Sequence, residues 1–86
     1  MERVLTFKYP YEKKEEKDKL KIELQQHNIE FICYESNGYF AHEFVVRKSD
    51  RKWNDIYKII NYVMPVKYNF KNVDIRLIDE KLVEYV

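Results

Sequence analysis

Leu5, Phe7 and Tyr9 alternate with Val4, Thr6 and Lys8 near the start of the chain. This is the period-two pattern of a strand with one buried face, running from Arg3 to Tyr9 and stopped by Pro10. From Tyr11 to His27 the pattern changes. Helix formers dominate without a breaker, and Leu20 and Leu24 share a face that Lys17 and His27 extend, so a helix with a thin apolar stripe is expected. Asn28 is placed to end it in the left-handed conformation. A hairpin follows over residues 29–46, and a second helix carries Trp53, Ile56, Tyr57, Ile60, Val63 and Met64 at i, i+3, i+4, i+7 spacing up to Pro65. Ser49 or Asp50 is expected to cap it. Val66, Tyr68 and Phe70 then alternate with polar residues, while Val73, Ile75 and Leu77 alternate with the opposite parity. One bulged strand or two short ones would give that shift. Residues 82–86 suit an additional C-terminal edge strand.

The hairpin is the sharpest local signal, because Asn37-Gly38 supplies the two positive φ angles of a two-residue type I′ turn. That turn predicts a register with Cys33 opposite His42 and Phe31 opposite Phe44. One face then holds Ile29, Phe31, Cys33, Phe44 and Val46 and packs beneath the helices. The other presents Ile32, Tyr34, Tyr39 and Val45 on a mixed surface expected to meet solvent. The order β-α-β-β-α-β predicts an α+β domain spanning residues 1–86. Its antiparallel sheet carries two helices on one face, the split-βαβ or ferredoxin-like arrangement.

Length limits what such a fold can hold: a chain of 86 residues buries only about two thirds of the surface it exposes when unfolded, leaving little room for a deep pocket. Hydrophobic residues make up 45% and charged residues 36%, which suits a soluble globular domain. Sixteen basic and 15 acidic side chains leave a net charge of +1, so bulk electrostatics favour neither nucleic acid nor an anionic membrane. Met1 to Phe7 lacks the apolar core of a signal peptide, and no apolar run approaches membrane-spanning length. Cys33 is the only cysteine. A reducing, cytoplasmic setting is expected from these features together. Eight tyrosines against one glycine fit AT-rich coding, as in low-GC bacteria and their phages.

Candidate chemistry is sparse. The Cys33–His42 pair has the residue types of a thiolate nucleophile and its base, but it falls on the core side, where a cysteine acts as a small hydrophobe. His27 and His42 have no partners at metal-ligand spacing. The single glycine, Gly38, belongs to the turn, so neither a phosphate-binding loop nor a dinucleotide fingerprint can be written. No catalytic residue, metal or cofactor is therefore expected. The run from Glu12 to Lys21 mixes attractive and repulsive i,i+4 pairs and reads as a solvated helix face.

Arg47, Lys48, Arg51 and Lys52, with Lys58 nearby, form the one basic cluster, where the third strand enters the second helix. Beside Tyr34 and Tyr39 its layout resembles, in outline, the way an RNA-recognition motif stacks bases on a sheet. No RNP-type consensus occurs, however, and Glu30, Glu43 and Asp74 would repel phosphate. The expected function is a small non-enzymatic protein-binding module, acting as regulator, adaptor or inhibitor through an open sheet face or edge. Its expected binding residues are Ile32, Tyr34, Tyr39 and Val45, with Ile78 beside them, and Arg47, Lys48, Arg51 and Lys52 at the rim. The partner is another protein or a second copy of the chain. The alternative is a nucleic-acid-binding domain that uses Tyr34, Tyr39 and the basic cluster.

Overall fold

The first strand, β1 (Glu2–Pro10), lies inside the sheet rather than at its edge, pairing antiparallel with two later strands. The computed structural model describes residues 1–35 and 41–74. After Pro10 a single 3-10 turn (Tyr11–Lys13) leads into α1 (Lys14–Gln26). The elements that follow are β2 (Phe31–Glu35), β3 (Ala41–Arg47), α2 (Trp53–Val63) and β4 (Tyr68–Val73). The four strands form one antiparallel sheet in the order β2-β3-β1-β4, the order of the ferredoxin-like arrangement. Helix α1 carries the chain past the position that β3 later fills and α2 carries it over β1, which is why strands adjacent in sequence across a helix are not neighbours in the sheet.

Helix α1 stops where the sequence places its stop. Asn28 has φ 56°, its N–H bonds to the carbonyl of Gln25 at 3.0 Å, and the N–H of Ile29 reaches the carbonyl of Leu24 at 2.9 Å. These are the two bonds of a Schellman motif, and Ile29 and Leu24 both enter the core as its apolar contact. Helix α2 begins differently from expectation. Its N-cap is Lys52, without a side-chain cap bond, while Ser49 (φ 55°) and Asp50 form a turn upstream.

The main core lies between the helices and one face of the sheet, where two rows of facing residues cross all four strands. One row is Phe70, Leu5, Val46 and Phe31; the other is Tyr68, Phe7, Phe44 and Cys33. Leu20 and Leu24 from α1 and Ile56 and Ile60 from α2 cover these rows and are fully buried. Phe44 is the hub, stacked on Phe7 at 4.9 Å and edge-on to Tyr9 at 5.7 Å. Such aromatic pairs add about 0.5–1.5 kcal/mol beyond their burial.

The hairpin register differs from the one the turn predicts. Cys33 faces Phe44, Ile32 faces Val45, Tyr34 faces Glu43 and Glu35 faces His42, a displacement of two residues. A shift of two keeps every side chain on its own face, so the core pattern accepts either register. Cross-strand chemistry separates them. The observed register sets Ile32 against Val45 and Tyr34 against Glu43, whereas the predicted one sets Ile32 against Glu43 and Tyr34 against Ala41. Asn37-Gly38 itself falls outside the described residues. In β4 no bulge interrupts Tyr68–Val73: Phe70 faces the helices and Val73 the opposite side of one regular strand. The C-terminal edge strand expected over 82–86 also lies outside the described residues. No described helix is long and apolar enough to cross a membrane.

Candidate docking surface

The sheet face away from the helices is not the mixed, solvent-facing surface that alternation suggests. Ile32 is 1% exposed and Val45 8%, and together with Val4 they form a second buried cluster against which Tyr34 and Val73 pack. Ile32 and Val45, expected as exposed contacts, are therefore core residues of this second face. The observed register sets Ile32 directly opposite Val45, and Val4 joins them in the same cluster. Tyr34 is committed as well, its hydroxyl donating to Glu43 Oε2 at 2.8 Å, while Lys71 Nζ stands 3.8 Å from Oε1 of the same carboxylate. Tyr39 and Ile78 lie outside the described residues.

The basic cluster divides into separate roles. Arg47 bridges Glu2 (Nε to Oε2, 3.1 Å) and Glu30 (Nη1 to Oε2, 2.6 Å), tying the ends of β1 and β3 to the residue before β2. Arg51 donates from Nη2 to the carbonyl oxygen of His27, the last residue before the left-handed Asn28, and so caps α1. Lys48 and Lys52 are exposed. Lys58 lines a shallow groove on the helix layer with Glu23, His27, Ile59 and Tyr62.

Cys33 and His42 are not directly opposed, since Cys33 faces Phe44 and His42 faces Glu35 and Tyr9. Burial pushes the Cys33 thiol up, against the opposing pull of Lys21 and Lys17. Burial and then the Lys17 ammonium push His42 down. Lys17 itself is buried on α1 with its Nζ 3.2 Å from Asp18 Oδ1. Both shifts favour neutral forms, the reverse of a thiolate–imidazolium pair. Among the described residues no group of three His, Cys, Asp or Glu side chains is placed to hold a metal ion.

A partly exposed aromatic strip runs along β4 and the start of α2, and sequence reading divided it between two elements. Tyr57 and Tyr68 have ring centroids 4.7 Å apart, Tyr68 and Phe70 5.5 Å, and Trp53 and Phe70 5.3 Å. The Arg3 guanidinium lies 4.1 Å from the centroid of Phe70, a cation–π contact. Tyr68 is 38% exposed and Trp53, Tyr57 and Phe70 are half-buried. On the other face of the same strand Asn69 and Lys71 are exposed, as is Lys67 just before it. With Thr6, Lys8 and Glu43 they line a groove of about 620 Å³. The signal was present in the sequence: Trp53 and Tyr57 are four apart on one helix, Tyr68 and Phe70 alternate in one strand, and the split-βαβ order puts that strand at the edge. No protein-family model matches the chain, and comparison with curated proteins and with solved structures gives no significant match.

Proposed function

We propose that this chain is a non-enzymatic protein-binding module, a regulator, adaptor or inhibitor that acts by occupying a partner's surface, and that it docks through the β4 edge. The observation that carries the reading is β4 itself. Four of its six residues are exposed, and among the described strands only β1 pairs with it. An edge strand of this kind is a template for pairing, and the Trp53–Phe70–Tyr68–Tyr57 strip beside it supplies the rigid aromatic area common at binding hot spots. A reducing, cytoplasmic setting agrees with the single cysteine.

The nucleic-acid reading has less to draw on. Arg47 is held between two carboxylates and Arg51 at a helix end, and the sheet face beside them carries Glu43 and Glu30. The two readings separate in one experiment that compares Tyr68→Ala with Lys48→Glu/Lys52→Glu. A protein captured from the native host should be lost on Tyr68→Ala and kept on the double variant. Generic RNA or DNA should bind no more tightly at low salt than a neutral polymer. Salt-sensitive nucleic-acid binding that the double variant abolishes would overturn the proposal.

A further inference from the structure

We infer that β4, which among the described strands pairs with β1 alone, accepts one more strand, and that the strand it fits is an extended segment of another protein in which apolar side chains alternate with acidic ones. The inference rests on the protein-binding reading above and adds the chemistry of the partner.

A strand added to β4 would present its side chains to two different surfaces in turn, because successive residues point to opposite faces. On the helix side it meets Tyr68, Phe70, Tyr57 and Trp53, a continuous apolar strip with ring spacings of 4.7 to 5.5 Å. On the opposite side it meets Lys67 and Lys71, both exposed, with Lys8 farther into the same groove. Among the described residues Glu43 is the one acidic side chain lining that groove. It already accepts the Tyr34 hydroxyl and stands opposite Lys8 and 3.8 Å from Lys71. Among the described residues Lys67 and Lys71 against this one carboxylate still give the rim a positive surplus. Apolar residues suit the first side and carboxylates the second, so the period of two is set by the strand and the charge by the lysines.

The same geometry disfavours the other occupants. A second copy pairing β4 to β4 would bring Lys67 and Lys71 against their own counterparts on one face, where like charges repel. A nucleic-acid strand would have to straddle the sheet edge, because its phosphates and bases would be sought on opposite faces. It would also leave the edge N–H and C=O groups of β4 without a matching ladder.

The test uses the full chain and fluorescein-labelled heptapeptides. Val-Glu-Val-Asp-Val-Glu-Val should bind at least tenfold more tightly than its counterpart with lysine at the three acidic positions. Lys67→Glu/Lys71→Gln, which keeps the fold by circular dichroism, should weaken the acidic peptide tenfold or more. Lys67→Glu alone, which spares the Lys71–Glu43 contact, should weaken it severalfold. N-methylation at one set of alternate peptide residues should abolish binding and at the other set leave it intact, the mark of a single hydrogen-bonded edge. Equal binding by both N-methylated sets would overturn strand addition. Preference for the lysine peptide would overturn the acidic partner, as would binding of a ten-residue oligothymidylate in place of either peptide. Concentration-dependent dimerisation lost on Tyr68→Ala would overturn it in favour of a second copy. A host protein still captured in a Tyr68-dependent way, with no acidic-peptide binding, would overturn this inference while the protein-binding reading stands.

Discussion

Tyr9 carries a cost that its ring offsets. The side chain is 0% exposed and packs against Phe7 and Phe44, yet its hydroxyl has no hydrogen-bond partner among the described residues. A buried polar group left unpaired costs about 1–3 kcal/mol. Tyr9→Phe keeps the ring and removes the hydroxyl, so urea denaturation should show a gain of about 1 kcal/mol. Burial, with Glu16 adding to it, pushes the Tyr9 phenol from 10.0 up to about 12. The unfolded chain therefore releases this proton first as the solution becomes alkaline. The resulting stability is fully present below pH 10 and drains away as the pH rises through about 12. Tyr9→Phe should flatten that window. Cys33 gives a second outcome: with burial raising its thiol, iodoacetamide at pH 7.5 should label the folded protein at least about tenfold more slowly than the urea-unfolded chain. Fast labelling of the folded form would reopen the catalytic reading.

The two helices end and begin on different devices, and each makes a measurable claim. Helix α1 has a thin apolar face, with only Lys17, Leu20 and Leu24 buried, so its Schellman turn and the Arg51 bond to the His27 carbonyl matter more than they would on a strong helix. Arg51→Ala should cost about 1 kcal/mol, and faster amide exchange should be confined to the last turn of α1. Helix α2 lacks a side-chain cap at Lys52, whose backbone is already extended as a cap requires. Lys52→Asp should therefore add about 1 kcal/mol in thermal or urea denaturation. Much of this was legible from residue order. The Asn28 stop, the Ile56 and Ile60 stripe and the β1 alternation each rest on a period or conformation that one segment determines alone. The hairpin register was not, because Asn37-Gly38 speaks for the turn while the facing pairs speak for the strands. Weighing Ile32–Val45 and Tyr34–Glu43 against their alternatives would have given the observed answer. The α2 cap was misplaced for a related reason: Ser49 and Asp50 are good caps by type, but a left-handed Ser49 puts them in the preceding turn.

The sheet has apolar packing on both faces, and this is what most changed the reading of the binding residues. Alternation along β2 and β3 separates two faces but does not say whether the second one is covered. Ile32 and Val45 turned from contacts into core for that reason. Ile32→Ala should cost about 2–4 kcal/mol, as a core leucine would; a loss below about 0.5 kcal/mol would mean the face is solvent-exposed after all. The docking strip escaped sequence reading because it is made of parts from α2, β4 and Arg3 that meet only when the fold is complete.

The central place of β1 also has a kinetic side. Its two partners, β3 and β4, lie far along the chain, with Leu5 pairing Val46 on one side and Phe70 on the other. Closing such distant loops must precede the reward of pairing, which slows folding relative to a helical bundle of the same size. During synthesis β1 has to wait, unpaired and apolar, until residues 41–47 and then 68–73 have left the ribosome. Completion of the sheet therefore waits on β4, and the interval before it is when Leu5, Phe7 and Tyr9 are most open to chaperones or aggregation.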